Sequence, residues 1–223
     1  IVLPRKLVYQ PIVPLTVSNG DLNMNIYALK DTGANATYAS EYLCEKLQLK
    51  GPVINHMQHT MSSSSDVNSR LVNCDITSMT GERFSLNNVL VQSEMQAPFP
   101  AQYIDVEKYP YLKDIPLSTV GHEVKVDLII SLDRSDLTIP LEYRGHPTDR
   151  SAPYAVNTPL GWMMHGPVDA ACARSRPTIG KFVHTEYLPA SIDEALYEEA
   201  SLAEAVSEGM SQVDKKVIAV SYT

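Results

Sequence analysis

The four residues Asp31-Thr32-Gly33-Ala34 are the stretch of this chain best suited to do chemistry. A β-leaning apolar run (Met24, Ile26, Ala28, Leu29) stops there in an acid, a hydroxyl, a glycine and a small residue. Gly33 permits a tight turn or a close backbone approach. Thr32 can hydrogen-bond neighbouring backbone. Asp31, held at a strand end, can have its carboxylate fixed by backbone N–H groups and turned into a cleft, the placement that acid–base work requires. An ordinary Asp-Gly turn is the plain alternative, because so short a motif is a weak signal alone. The other reactive groups carry less. Cys44, Cys74 and Cys172 are odd in number and widely spaced, which fits a reduced, intracellular compartment better than a disulfide framework. Cys44 reads as a core residue, and no histidine is marked as a partner for cysteine catalysis. His56 and His59 lie three apart without further ligands at metal spacing, so they read as solvated strand residues and not as a zinc site. His165 has no paired acid or nucleophile and reads as structural.

Residues 2–17 read as strands broken by Pro4, Pro11 and Pro14, which push them toward a sheet edge. Asn19-Gly20-Asp21 predicts a turn, and the strand Leu22 to Lys30 then delivers Asp31. Ser40 opens a short helix with Glu41 in its first turn and an apolar stripe of Leu43, Cys44 and Leu47, stopped by Gly51-Pro52. Val53 to Met61 and Arg70 to Met79 alternate as strands around a small, polar run at Ser62 to Ser65, so a hairpin with a serine tip is expected; a surface loop is equally compatible with the sequence. Phe84 to Gln92 is a further strand. Met95 to Glu123, rich in prolines and aromatics, reads as an irregular excursion. The continuous apolar run Val126, Leu128, Ile129, Ile130, Leu132 predicts a fully buried strand, followed by a short helix or turn up to Pro140. Residues 142–157 read as polar and loop-like. Thr158 to Gly166 reads as a glycine-flanked final strand with Trp162 in the core. Beyond Pro167, residues 168–185 read as a linker. Ser191 to Glu194 fits a capping box for an acidic helix over 195–210.

With 223 residues and 44% of them apolar, the chain is long enough for one substantial domain and an extension. Its formal charge of −8 argues against a nucleic-acid partner, since phosphate binding wants a basic face. No apolar run reaches the length of a membrane span. The chain begins at Ile1, from which we expect a segment of something longer.

The order of these features resembles a retropepsin-type aspartic protease, and most of all the protease domain of BEL/Pao-type retrotransposon polyproteins. Three stretches carry the resemblance: Leu29 to Ala34, Asp127 to Asp133 and Thr158 to Gly166, with Tyr111 to Ile115 similar to the family's segment ahead of the buried strand. It covers roughly residues 2–167. Two positions depart from the family pattern, Ser131 where glycine is usual and Lys30 where an apolar residue is usual. The resemblance implies an all-β fold: a closed barrel with a flap hairpin, one or two short helices and a C-terminal helical extension. It implies a protease domain over 1–167 and a linker with an acidic helical extension over 168–223, toward the next polyprotein region. It further implies a homodimer, because the chain holds one Asp-Thr-Gly and the chemistry needs two aspartates. Asp31 is then the catalytic acid, and Thr32, Gly33 and Ala34 form the active-site loop. Met61, Ser62, Ser63, Ser64 and Ser65 form the flap, and Ile129 and Ile130 lie beside the peptide or polyprotein substrate. No metal, organic cofactor, nucleic acid or membrane is implied, and the expected location is cytoplasmic, retrotransposon particles included. The rival readings are a peptide-binding module of the same fold without cleavage, favoured by Lys30 and Ser131, and a purely structural polyprotein segment.

Overall fold

The computed structural model describes residues 8–60, 63–93, 95, 107–117, 124–167 and the strand 183–187. The chain divides into two compact units, 1–186 and 187–223. The expected excursion around Phe99 and Tyr103, Cys172 and the expected acidic helix over 195–210 lie outside the described residues.

The first unit is built on β-structure. Strand β1 (Val8–Tyr9) precedes the hairpin of β2 (Ile12–Asn19) and β3 (Leu22–Lys30). The hairpin pairs antiparallel from Ile12↔Leu29 to Asn19↔Leu22, with Gly20 at φ +58° in the first loop position, a conformation glycine adopts without strain. Pro14 sits inside β2, not between strands. The ladder to the next strand on that side reaches only Thr16 to Ser18, so the missing Pro14 N–H removes no bond there.

Strand β4 (Tyr38–Ser40) leads into helix α1 (Glu41–Lys46). The Ser40 hydroxyl caps the helix by accepting the Leu43 N–H at 3.1 Å, and it donates to the buried Asp127 carboxylate at 2.7 Å. The helix stops earlier than Gly51-Pro52 would suggest. Leu47 is its C-cap, and Gln48 turns the chain with φ +53°. Gly51 is needed for another reason: a Cβ there would fall 1.6 Å from the Leu71 carbonyl oxygen.

Next come β5 (Val53–Thr60), β6 (Ser64–Thr77), β7 (Arg83–Gln92) and β8 (Val126–Ile130). Strands β6, β2, β3, β8, β4 and β7 follow one another around a closed six-stranded barrel, shut by the β6–β7 ladder. Strand β8 lies parallel to β3 and antiparallel to β4. The barrel is filled by Val13, Leu15, Val17, Ile26, Ala28, Val72, Ile76, Leu86, Val89, Leu128 and Ile130, with Leu43, Cys44 and Leu47 of α1 in the same cluster. The front half of β6 leaves the barrel with β5 as an antiparallel hairpin, from Val53↔Arg70 to His59↔Ser64.

After β8 come a 3-10 turn (Leu132–Arg134) and helix α2 (Ser135–Thr138). Residues 142–157 are not the loop that their polarity suggested. They hold β9 (Glu142–Arg144) and β10 (Tyr154–Thr158), and β10 pairs with β11 (Gly161–Pro167). A second sheet has the order β1-β11-β10-β9, over a cluster of Tyr9, Leu112, Ile115, Ala155 and Met164. Trp162 is partly buried against that cluster and is not part of the barrel core. Strand β12 (Val183–Tyr187) lies next to β5 in the barrel sheet. No helix among the described residues is long and apolar enough to cross a membrane.

Candidate functional site

Strand β3 carries Asp31 to the barrel rim. Its last residues, Leu29 and Lys30, pair in parallel with Ile129 and Ile130. The Asp31 N–H continues the ladder by donating to the Ile130 carbonyl at 3.0 Å. The chain then turns, and the Gly33 N–H donates to Asp31 Oδ1 at 2.8 Å. Asp31 is half-buried, Thr32 exposed, Gly33 half-buried and Ala34 buried. Burial pushes the Asp31 carboxyl above its usual pKa, and the Gly33 hydrogen bond opposes that rise.

This turn is tied to the one after β8. The Leu132 N–H donates to the Ala34 carbonyl at 3.2 Å. Thr37 then bridges the two loops: its N–H donates to Asp133 Oδ2 at 2.9 Å and its hydroxyl to Asp133 Oδ1 at 2.7 Å. The Ser131 N–H donates to the same hydroxyl oxygen at 3.3 Å. Arg134, which shares two hydrogen bonds with Asp136, also donates to the Ser85 carbonyl and fixes the far end of the second loop.

Lys30 is only 9% exposed, and among the described residues no carboxylate pairs with it. Burial lowers its pKa. It contributes no shift to Asp31, while it does help to lower His165. The Ser131 side chain is fully buried, and its Oγ has no hydrogen-bond partner among the described residues.

The hairpin of β5 and β6 ends in a tight polar tip. The Thr60 N–H donates to the Ser63 carbonyl at 2.7 Å, and His59 Nδ1 lies 2.6 Å from Ser64 Oγ. Ser63, Ser64 and Ser65 are exposed there; Met61 and Ser62 lie outside the described residues. Ile129 is half-buried, and Ile130 is a barrel-core residue with 0% exposure, so its side chain serves packing. A groove of about 300 Å³ opens at the hairpin base, lined by Glu41, Val53, Val67, Arg70, Val91 and Gln92, with Arg70 ion-paired to Glu41. Asp31 is not part of that groove.

His56 is not solvated: it is 1% exposed, both ring nitrogens lack hydrogen-bond partners among the described residues, and burial lowers its pKa. Cys44 and Cys74 are core residues whose thiols burial pushes up to about 11 and about 12, so neither is a thiolate nucleophile near neutrality. His165 stacks on Tyr154 at 5.2 Å and 5°, and burial, helped by Lys30, pushes its pKa down to about 4. Among the described residues no cluster of His, Cys, Asp or Glu is arranged to hold a metal ion.

Sequence reasoning missed Thr37. A threonine six residues past an acid carries no local signal, and its partner Asp133 is ninety-six residues away. Comparison of the chain with protein-family models, with curated proteins and with solved structures returns no match in any of the three.

Proposed function

We propose that this chain is a retropepsin-like aspartic endopeptidase of a retrotransposon-type polyprotein, in which Asp31 from two copies forms the catalytic dyad. The placement of Asp31 carries the reading. It is a half-buried carboxylate at the end of a barrel strand, held by the N–H of Gly33 in a loop that Thr37 and Asp133 brace. An ordinary surface turn would need neither the burial nor the brace. One chain supplies one such acid. Asp31 is followed by exposed Thr32, and Leu132, 51% exposed, is tied to Ala34 of the same loop.

In the pair, two carboxylates at close range share one proton, because both cannot be ionised cheaply. The ionised carboxylate takes a proton from water, and the resulting nucleophile attacks the scissile carbonyl. The protonated one hydrogen-bonds the carbonyl oxygen as charge develops there. Thr32 braces the two loops across the two-fold axis, Gly33 and Ala34 leave room for substrate backbone, and the serine-tipped hairpin covers an extended peptide and limits water access.

The test is cleavage of the polyprotein segments that flank this chain, with and without a transition-state mimic of peptide hydrolysis. Asp31→Asn is expected to abolish cleavage while the protein folds and self-associates as before. At neutral pH the variant is expected to be at least as heat-stable, since a carboxylate with a raised pKa costs stability when ionised. Substantial cleavage by the pure variant would place the water-activating group elsewhere.

A further inference from the structure

The serine-tipped hairpin, β5 with the front half of β6, leaves the barrel as two strands. Two strands alone make a marginal sheet in water. The two arms are not equally covered. In β5, His56 is 1% exposed, and Met57, Gln58 and His59 are half-buried. Their partners across the ladder are Val67, Asp66, Ser65 and Ser64, of which Val67 is half-buried and the other three are exposed. At each of these four pairs the β5 residue is more enclosed than the one it faces. Alternation does not produce that difference, because directly opposed residues of an antiparallel ladder share a face. The extra cover comes from the outer side of β5.

A later segment of the same chain lies on that side. Strand β12 (Val183–Tyr187) is the next strand outward in the sheet order β12-β5-β6. Residues 183–186 belong to the same compact unit as the hairpin. The sequence Val183-His184-Thr185-Glu186-Tyr187 has β-branched or aromatic residues at alternate positions, as strands favour. A free outer edge on β5 would offer unpaired N–H and C=O groups to any extended chain. Here that strand-addition site is filled in cis, by a strand that follows β11 of the second sheet.

We propose that β12 is a strap: it pairs along the outer edge of β5, holds the hairpin and restrains its opening until the strap detaches. The bearing of this restraint on catalysis rests on the Asp31 dyad reading; the strand pairing itself does not.

Residue-resolved hydrogen exchange of the full chain tests it. In the antiparallel ladder, successive β5 N–H groups point alternately to β6 and away from it. A free outer edge leaves every second β5 amide exposed, and a filled edge protects consecutive amides. The unaltered protein is expected to show consecutive protection along β5. Thr185→Pro combined with Glu186→Pro removes two neighbouring N–H groups of β12, one of which must face β5. In that double variant every second β5 amide exchanges at least roughly ten-fold faster, while those bonded to β6 keep their rates. On the Asp31 reading the double variant also cleaves peptide several-fold faster, because the hairpin opens more readily to substrate. An alternating pattern in the unaltered protein overturns the proposal without recourse to any variant. A double variant that keeps consecutive protection overturns it too, as does an active one whose freed edge brings no gain in cleavage. If neither protein cleaves peptide while the exchange responds as described, the Asp31 reading falls and the strand pairing stands.

Discussion

His165, a half-buried ring whose pKa is pushed down, is expected to tie this protein's stability to pH. Its Nε2 is buried without a hydrogen-bond partner among the described residues, its ring lies flat on Tyr154, and burial, with the Lys30 charge, pushes its pKa down to about 4. An unfolded histidine titrates near 6.5. The folded state therefore favours the neutral ring. The stability this confers is fully present above about pH 6.5 and is lost as pH falls toward 4, where the folded form also takes the proton. A shift of this size corresponds to about 3 kcal/mol between the two ends of that window. Denaturant unfolding followed between pH 7 and 4 is expected to show this fall. His165→Phe, which keeps a flat ring against Tyr154, is expected to remove most of the slope. An unchanged slope would assign the acid sensitivity to other groups, with buried His56 the next to substitute. Lys30 enters the same account, since its charge helps to hold His165 neutral.

At the scale of elements, the brace between the loops after β3 and β8 decides whether Asp31 is held. Thr37→Val keeps the backbone N–H bond to Asp133, removes the hydroxyl bond to Oδ1 and leaves the Ser131 N–H without its acceptor. The expected cost is about 1–3 kcal/mol in denaturant unfolding, most of it from the buried Ser131 N–H left unpaired. Peptide cleavage should fall more than stability does, because the loop loses its fixed geometry. Thr37→Ser, which keeps the hydroxyl, should rescue both. None of this was legible in the sequence, where Thr37 and Asp133 are two ordinary residues far apart. What was legible had local causes. The β2–β3 hairpin follows from Gly20 between alternating runs, the α1 start from Ser40, the serine-tipped hairpin from the small polar run, and β8 from an unbroken apolar stretch. The failures have causes too. Gln48 ends α1 in a left-handed conformation that its residue type does not announce. Strands β9 and β10 hide among Gly145, Pro147 and Pro153, and β9 is exposed on every residue, so it shows no apolar alternation. The polar character of histidine suggested a solvated His56, yet the tertiary packing buries it.

For the molecule as a whole, the dyad reading makes catalysis a property of two chains, and this can be measured without knowing the cleavage sequence in advance. On that reading a single chain is expected to be inactive alone. Specific activity is therefore expected to fall on dilution through the dimer dissociation constant, in step with the loss of dimer seen by sedimentation. Adding Asp31→Asn protein should poison the enzyme by forming mixed dimers with one acid. With equal amounts of the two and free exchange, about one quarter of dimers carry both acids, so activity per unaltered chain drops by about half. The pH profile should be bell-shaped on the acid side of neutrality, because one proton must be present on the pair and one absent. The burial that raises Asp31 in the single chain favours the protonated partner in that pair. Lys30 is buried and lowers the pKa of His165, and Lys30→Leu is expected to leave both limbs of the profile in place. Activity that stays flat on dilution while sedimentation shows monomers would sink the two-chain mechanism. Poisoning without any loss on dilution would instead mean a dimer too tight to dissociate over the range used, and the mixed-dimer stoichiometry alone would then report that two Asp31 side chains make one active site.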